Sequence, residues 1–392
     1  MKLAHIADSH LGIRQYHRQT SSGINQREAD VAQAFRTTID GVIAARPDVV
    51  VFAGDLFHSV RPTNSAIVFA FRQLQRLREA LPGAPLVLIA GNHDTPRSVE
   101  TGSILRLFEE LGVDVVAEEA RRLVYPDVDL SVLAVPHQVM RAAERPLLQP
   151  EGSEKFRVMV LHTEVEGEYP AGRGGAEYGG PVISRSELHL PEWSYVALGH
   201  YHTQHQVDRR AWYSGSLEYI GPNLWGEVAD DADHGSHGKG WLLVDLETGH
   251  VERQNISSAR KVLDLEPVKA AGKSAAIIDD LIARRLAAVP GGIADKIIRL
   301  RVFDISRHVA RELNHAAFRE YKSQALHCHI DLRRPELRRT IGMGAPGRRQ
   351  TLPELVTSYL QGRPLPAELD RHAFVRLGQE LMDTVEREMA GG

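Results

Sequence analysis

Apolar runs that break abruptly on polar side chains recur along the first 220 residues. "KLAHIAD", "DVVVFAGD" and "APLVLIAGN" are followed by "LSVLAVPH", "RVMVLHTE" and "YVALGHYH". Near-continuous apolar runs of this length suit strands buried on both faces. Helical spacing fills the gaps between the first three. Asn25 is placed to cap a helix, with Glu28 three residues on, before a stripe of Val31, Phe35, Ile39 and Val42. A second stripe runs through Val68, Phe71, Leu74 and Leu77. Strand–helix alternation predicts a layered α/β domain over residues 1–225. Residues 165–183 are Gly-rich and read as a loop.

The pattern changes after Gly221. "NLWGEVADDADHGSHGKG" reads as a polar loop, and "WLLVDLETGHVERQNI" as strand, turn and strand with Thr248 and Gly249 at the turn. A helix near residues 277–286, the run "KIIRLRVFDI", another helix and "ALHCHIDL" complete a smaller α+β domain over residues 240–332. Residues 333–350 are basic and contain Gly and Pro, as linkers do. Residues 351–392 read as two amphipathic helices broken at "GRPLP", with Phe374, Leu377, Leu381, Val385 and Met389 in one stripe.

Composition narrows the classes. A chain of 392 residues exceeds what one core usually serves, so several domains are expected. Its one cysteine, Cys328, allows no internal disulfide and fits a reducing compartment; a buried core thiol is the default reading. Asp8 and His10 interrupt any signal-peptide core near the N-terminus. No apolar run approaches the ~20 residues of a membrane span. A cytoplasmic protein without membrane contact is expected. The net charge of −4 mildly disfavours nucleic-acid binding by bulk electrostatics.

The chemistry lies where the runs end. Asp8 and His10 follow the first, Asp55 and then His58 the second, and Asn92, His93 and Asp94 the third; His162 closes "RVMVLH", and His200 and His202 follow "YVALG". In α/β folds, ligands gather at the carboxyl ends of strands. So many buried titratable groups need compensation, and metal ions supply it. Along an extended chain, residues i and i+2 share a side. Asp8 with His10, and His200 with His202, are therefore each expected to face one site. Asn92 and His93 are adjacent and should diverge, so one of them is a ligand. Carboxylate, amide and imidazole donors suit Mn²⁺, Fe²⁺ or Zn²⁺. Seven such candidates predict a binuclear site with Asp55 as the bridging carboxylate. Two ions roughly 3.5–4 Å apart clamp the attacking and leaving oxygens of an in-line phosphoryl displacement.

The ordered series D-x-H, G-D, G-N-H-D, a lone His after a strand and G-H-x-H resembles the binuclear metallophosphoesterase superfamily. "GDLFHSVRPT" and "LGHYH…YSGSLEY" resemble, more closely, its SbcD-type nucleases, the meiotic recombination eleven family of double-strand-break repair. The resemblance implies a layered metallophosphoesterase sandwich, a capping domain that binds DNA, and a C-terminal helical pair that docks on an SbcC-type coiled-coil ATPase. It implies one ion on Asp8, His10, Asp55 and His202 and another on Asp55, Asn92, His162 and His200. His93 would face the scissile phosphate, Asp94 would orient its ring, and His58 would position the DNA backbone. The family prefers Mn²⁺, cleaves DNA as 3′-to-5′ exonuclease and endonuclease, and dimerises. Such a protein would be associated with the nucleoid.

Other readings compete. A metallophosphoesterase acting on small phosphodiesters or phosphoproteins would share the metal core. A DNA-end scaffold with a decayed site is opposed by the full set of donors. His137 matches no family ligand and reads as structural or supporting. His234 and His237 read as a solvated loop, and Arg333 to Arg349 as either a phosphate contact or a solvated linker. Thr203 stands where the family pattern suggests a basic residue, which puts a local DNA contact in doubt.

Overall fold

The inner strands of the first sheet divide their side chains between two cores. In Val49–Phe52, Val49 and Val51 face one and Val50 and Phe52 the other; in Leu86–Ile89, Val87 and Ile89 oppose Leu86 and Leu88. This is why these runs are apolar without alternation. The computed structural model describes residues 1–96, 102–168, 181–236, 238–335, 352–363, 365 and 369–390. Residues 1–334 form one unit and 335–392 another.

The first sheet runs His250–Asn255, Gly240–Asp245, Lys2–Ile6, Val49–Phe52, Leu86–Ile89, Asp114–Val116, with the last four strands parallel. The second runs His205–Asp208, Ala211–Tyr213, Tyr195–Gly199, Phe156–His162, Leu130–Val135, Arg121–Tyr125, parallel except for its two outer strands. Leu3, Val51 and Ile89 of the first sheet meet Val132, Val158 and Ala197 of the second in a common core. His5 lies in this layer. Its Nδ1 is 3.0 Å from the Tyr195 hydroxyl, and burial holds it down to about 3, so it bridges the sheets as a neutral ring. The helices Gln26–Ala45 and Asn64–Ala80 cover the outer face of the first sheet. The layered α/β sandwich read from the sequence is the architecture observed.

Details differ from the sequence reading. Asn25 caps its helix, accepting from the Arg27 and Glu28 amides, but Glu28 does not reach back to close a capping box. Its carboxylate takes a hydrogen bond from Arg14 at 2.9 Å and one from Thr63. In the second helix Leu74 and Leu77 of the expected stripe are buried, but Val68 is 48% exposed and Ala66 and Ala70 complete the buried face. The 240–255 hairpin, read as part of the small domain, joins the first sheet by antiparallel pairing with Lys2–Ile6. Its apolar residues Leu242 and Val244 complete the inter-sheet core, and no local signal distinguishes that from a core of its own.

Beyond it stands a parallel three-stranded sheet of Val262–Lys269, Ile297–Phe303 and His327–Leu332, packed on Ala275–Ala287 and His315–Gln324. Cys328 is buried in that core. The strand Val262–Lys269 escaped the pattern because charged residues alternate along it. Pro267 sits at a register irregularity on this edge strand, where a missing donor is tolerated. The tail holds helices Leu352–Gly362 and Arg371–Ala390. The expected linker beyond residue 335, His237, most of the Gly-rich loop, and the side chains of Val385 and Met389 lie outside the described residues. Among the described residues, no helix is long and apolar enough to cross a membrane.

The two sheets approach closely where their strands end. A Cβ built on Gly199 would lie 1.9 Å from the Ala53 carbonyl oxygen. Gly199→Ala is therefore expected to lower stability by about 1–3 kcal/mol, read as a lower urea midpoint at unchanged slope. An unaltered midpoint would show that the sheets can separate there without cost.

Candidate metal centre

The donors converge, but not by the extended geometry expected of them. The strands stop at Ile6 and Gly199, short of the D-x-H and H-x-H pairs. Asp8, His10 and Asp55 have φ of 48°, 46° and 53°, and His200 has 107°. Side chains other than glycine avoid this region, at roughly 1–3 kcal/mol each. Left-handed turns, rather than strand alternation, aim these side chains into one site. Backbone bonds hold the turns: the Asp8 and His10 amides donate to the Gly54 and Asp55 carbonyls at 3.1 and 2.9 Å.

Asp55 occupies the middle. Its Oδ2 is 3.2 Å from His162 Nε2 and 3.6 Å from His10 Nε2, and its Oδ1 accepts from the His93 amide at 2.8 Å. Donor atoms of Asp8, His10 and His202 gather on one side, and those of Asp8, Asp55 and His162 form an overlapping group. Asn92 Oδ1 lies 2.9 Å from His162 Nε2 and 3.2 Å from His200 Nδ1, on the other side. The adjacent His93 diverges and joins His10 and His58 in a third group. Its ring lies over that of His58 with centroids 4.9 Å apart.

Each inward nitrogen is set by what holds the other one. The Ala53 carbonyl can only accept, so His162 Nδ1 donates to it at 2.8 Å and Nε2 turns inward. The Glu227 carboxylate takes His202 Nδ1 at 3.4 Å, and Glu164 meets His200 Nε2 at 3.3 Å. This is the pattern that orients metal-binding imidazoles. Sequence reading gave no role to Glu164, which follows His162 by two residues, or to Glu227 and Lys239, which lie in a stretch that reads as a polar loop. Asp94 does another job than the one expected. Its buried carboxylate accepts from the amides of Leu56, Phe57 and Gly91 at 3.0, 3.0 and 3.3 Å, clamping two loops together. The His93 ring instead donates from Nδ1 to the His58 carbonyl at 2.7 Å. His137 supports from behind, with Nδ1 3.2 Å from the His162 carbonyl. His234 bonds the Asp230 carbonyl through Nδ1 at 2.8 Å, away from these groups.

The electrostatics are those of a cation site. Burial pushes Asp8 up to about 6 and Asp94 up to about 7, and holds His10 well below the usual imidazole range. Burial opposes the charge of Asp55 as well, but the His162 imidazolium outweighs it and keeps the carboxyl well below its ordinary value. Reciprocally, burial lowers His162 but Asp55 carries it up to about 9. A divalent ion fits the donor set: His10 Nε2 is buried without a hydrogen-bond partner, and the donors are hard oxygens and imidazoles with no thiolate. A cavity of about 540 Å³ opens beside Asn92 and His93, and Arg61, Arg141 and His137 line it.

Below pH 9 the metal-free site holds a proton on His162 that an incoming ion must displace. Mn²⁺ binding is therefore expected to release protons and to tighten by up to about tenfold per pH unit as pH rises toward 9. Calorimetry in buffers of different ionisation enthalpy measures the release. Binding with no buffer dependence would show that the ion displaces no proton, and so that His162 is not held protonated before metal binds.

Comparison with known proteins agrees with this chemistry. The calcineurin-like phosphoesterase model matches residues 1–204. The DNA double-strand break repair protein Mre11 of Methanocaldococcus jannaschii is 27% identical over 264 residues, 65% of this chain and 65% of its own length. That of Sulfurisphaera tokodaii is 31% identical over 62% of this chain and 59% of its own length. That of Methanococcus maripaludis is 40% identical over 63% of each. These matches span under two thirds of the relatives' lengths. The matched region contains Asp8, His10, Asp55, Asn92, His162, His200 and His202, and the chain belongs to the calcineurin-like phosphoesterase family.

Proposed function

We propose that this chain is a DNA nuclease that hydrolyses phosphodiesters with two divalent ions, Mn²⁺ for preference, and trims DNA ends during double-strand-break repair. The observation that carries the reading is Asp55 Oδ2, set between His10 Nε2 and His162 Nε2 beneath the His58–His93 ring pair. Asp8, His10, Asp55 and His202 would hold one ion, and Asp55, Asn92, His162 and His200 the other. When bound, the ions supply Lewis-acid polarisation of the phosphate and a nucleophile at neutral pH.

The chain's own residues do the rest. His93 donates from Nδ1 to the His58 carbonyl, so its Nε2 is the atom that carries a proton to the leaving oxygen. His58 positions the phosphodiester at the rim. Arg61 and Arg141 stand along the adjoining cavity, where they neutralise phosphates to either side of the scissile one. The relatives' name as double-strand break repair proteins supports DNA as the substrate. The smaller domain expected over residues 240–332, without the 240–255 hairpin that joins the first sheet, is proposed to cap that DNA. Exonuclease action runs 3′ to 5′ beside endonuclease action, in a homodimer at the nucleoid.

The tail is proposed to dock on an SbcC-type coiled-coil ATPase. Leu355, Tyr359, Leu377 and Leu381 are exposed on its helices, an apolar surface that a partner would cover.

His93→Ala is expected to slow Mn²⁺-dependent release of label from 3′-labelled linear duplex by about 10²–10⁴-fold, with Mn²⁺ binding retained. Release at the wild-type rate would remove His93 from the chemistry. Hydrolysis of small phosphodiesters with no action on duplex would favour the small-substrate reading. Deletion of residues 351–392 is expected to abolish co-purification with the ATPase while leaving the nuclease rate on single strands intact. Retained binding would place the docking surface elsewhere.

A further inference from the structure

The part of the molecule that the metal motifs do not explain is a buried ion pair behind His202. Lys239 is 1% exposed and Glu227 is fully buried. Lysine and glutamate are almost never this buried unless paired, and the pairing here is specific. Lys239 Nζ lies 3.0 Å from Glu227 Oε2 and 3.6 Å from Asp231 Oδ2, and it sits over the Tyr219 ring at 4.5 Å. It also donates to the His202 carbonyl oxygen at 2.7 Å. Glu227 faces the same residue through its other oxygen, which takes His202 Nδ1 at 3.4 Å and the Gly221 amide at 2.5 Å. The pair therefore grips His202 at two points, backbone and ring.

The geometry points to Glu227 and Lys239 as positioning residues that fix His202 with Nε2 toward Asp8 and His10. The inference rests on the reading of this cluster as a metal centre. Burying an ammonium and a carboxylate is costly, and two well-packed apolar side chains would stabilise the fold as well. What apolar side chains cannot do is choose one imidazole tautomer. A carboxylate on Nδ1 requires the proton there and leaves the lone pair on Nε2. Lys239 does for the carboxylate what the carboxylate does for the ring, holding Glu227 in one rotamer through the 3.0 Å contact with its Oε2. The two come from different elements. Glu227 stands on the helix Leu224–Asp233, and Lys239 just precedes the strand Gly240–Asp245 of the first sheet. The histidines of the other half are held by other means, His162 by the Ala53 carbonyl and His200 by Glu164. The unit should therefore act on one ion and leave the other alone.

The test is a Mn²⁺ titration of the full chain by calorimetry, with spin-resonance detection of the coupled ion pair. Wild type is expected to bind two ions and show the coupled signal. Glu227→Ala is expected to weaken one ion by about 10–100-fold, leave the other unchanged and lose the coupled signal at limiting metal. Glu227→Gln keeps an oxygen acceptor in the same place and should recover most of that loss. Lys239→Met should fall between them. Thermal melts in chelator check that each variant is folded, and the single-ion selectivity distinguishes positioning from general damage. Two unweakened ions in a folded Glu227→Ala would overturn this inference alone. A wild type that binds no Mn²⁺ would overturn it together with the metal reading on which it rests.

Discussion

A carboxylate 2% exposed, Asp55, is the constraint around which the site is built. A buried negative charge must be met from several sides, and here each side belongs to a different segment. His162 comes from the second sheet, His10 from the turn after the first strand, and the His93 amide from the turn after the third. Room for that convergence is made by removing side chains. A Cβ on Gly91 would fall 2.1 Å from Asp55 Oδ1, and one on Gly54 would fall 2.4 Å from His162 Nδ1. The G-D and G-N-H-D motifs thus record close packing as much as chemistry. Asp94 closes the arrangement by tying the backbone after Asp55 to the backbone at Gly91.

The same constraint explains the strained backbone. Asp8, His10 and Asp55 take positive φ, and each is over-determined by the contacts around it. The Asp8 carboxylate accepts from the His200 amide at 3.1 Å at both oxygens. That contact joins the end of the first strand of one sheet to a turn of the other. Strain of this kind persists only where surrounding structure enforces it. Two sheets meeting at their carboxyl ends provide the enforcement.

Much of this was legible in the sequence, for identifiable reasons. The inner strands are buried on both faces, so their apolar runs stand out, and the donors follow each run directly. The outer strands, such as Arg121–Tyr125 and His205–Asp208, carry too many polar residues to register. Convergence of the D-x-H and H-x-H pairs was anticipated from alternation along a strand, whereas left-handed turns produce it; residue spacing cannot separate the two. The resemblance implies that Asp94 orients the His93 ring, whereas its carboxylate is aimed at the Leu56 and Phe57 amides, 38 and 37 positions away, a partner that no spacing near Asp94 announces. Glu227 and Lys239 were invisible because they sit in a stretch that reads as a solvated loop. Only the fold shows that the acidic helix beginning at Leu224 turns one face inward.

The rim histidines carry a consequence of the same hydrogen-bond logic. His10 Nδ1 and His58 Nδ1 are 3.1 Å apart. One must donate and the other accept, so both rings cannot be protonated at those atoms together. On the proposed reading, in which His10 Nε2 would give its lone pair to a metal ion, the His10 proton would sit on Nδ1 and His58 would accept. The proton of a neutral His58 then sits on Nε2, on the opposite edge of the ring. The ring is thereby fixed as a hydrogen-bond donor at that edge, suited to a phosphate oxygen. His93 is bound differently, since the His58 carbonyl takes its Nδ1–H, and Nε2 is the nitrogen for which proton transfer is proposed. Two stacked imidazoles of the same residue type thus meet different partners at Nδ1, and the proposed division of work, His58 holding the phosphodiester and His93 moving the proton, rests on that asymmetry.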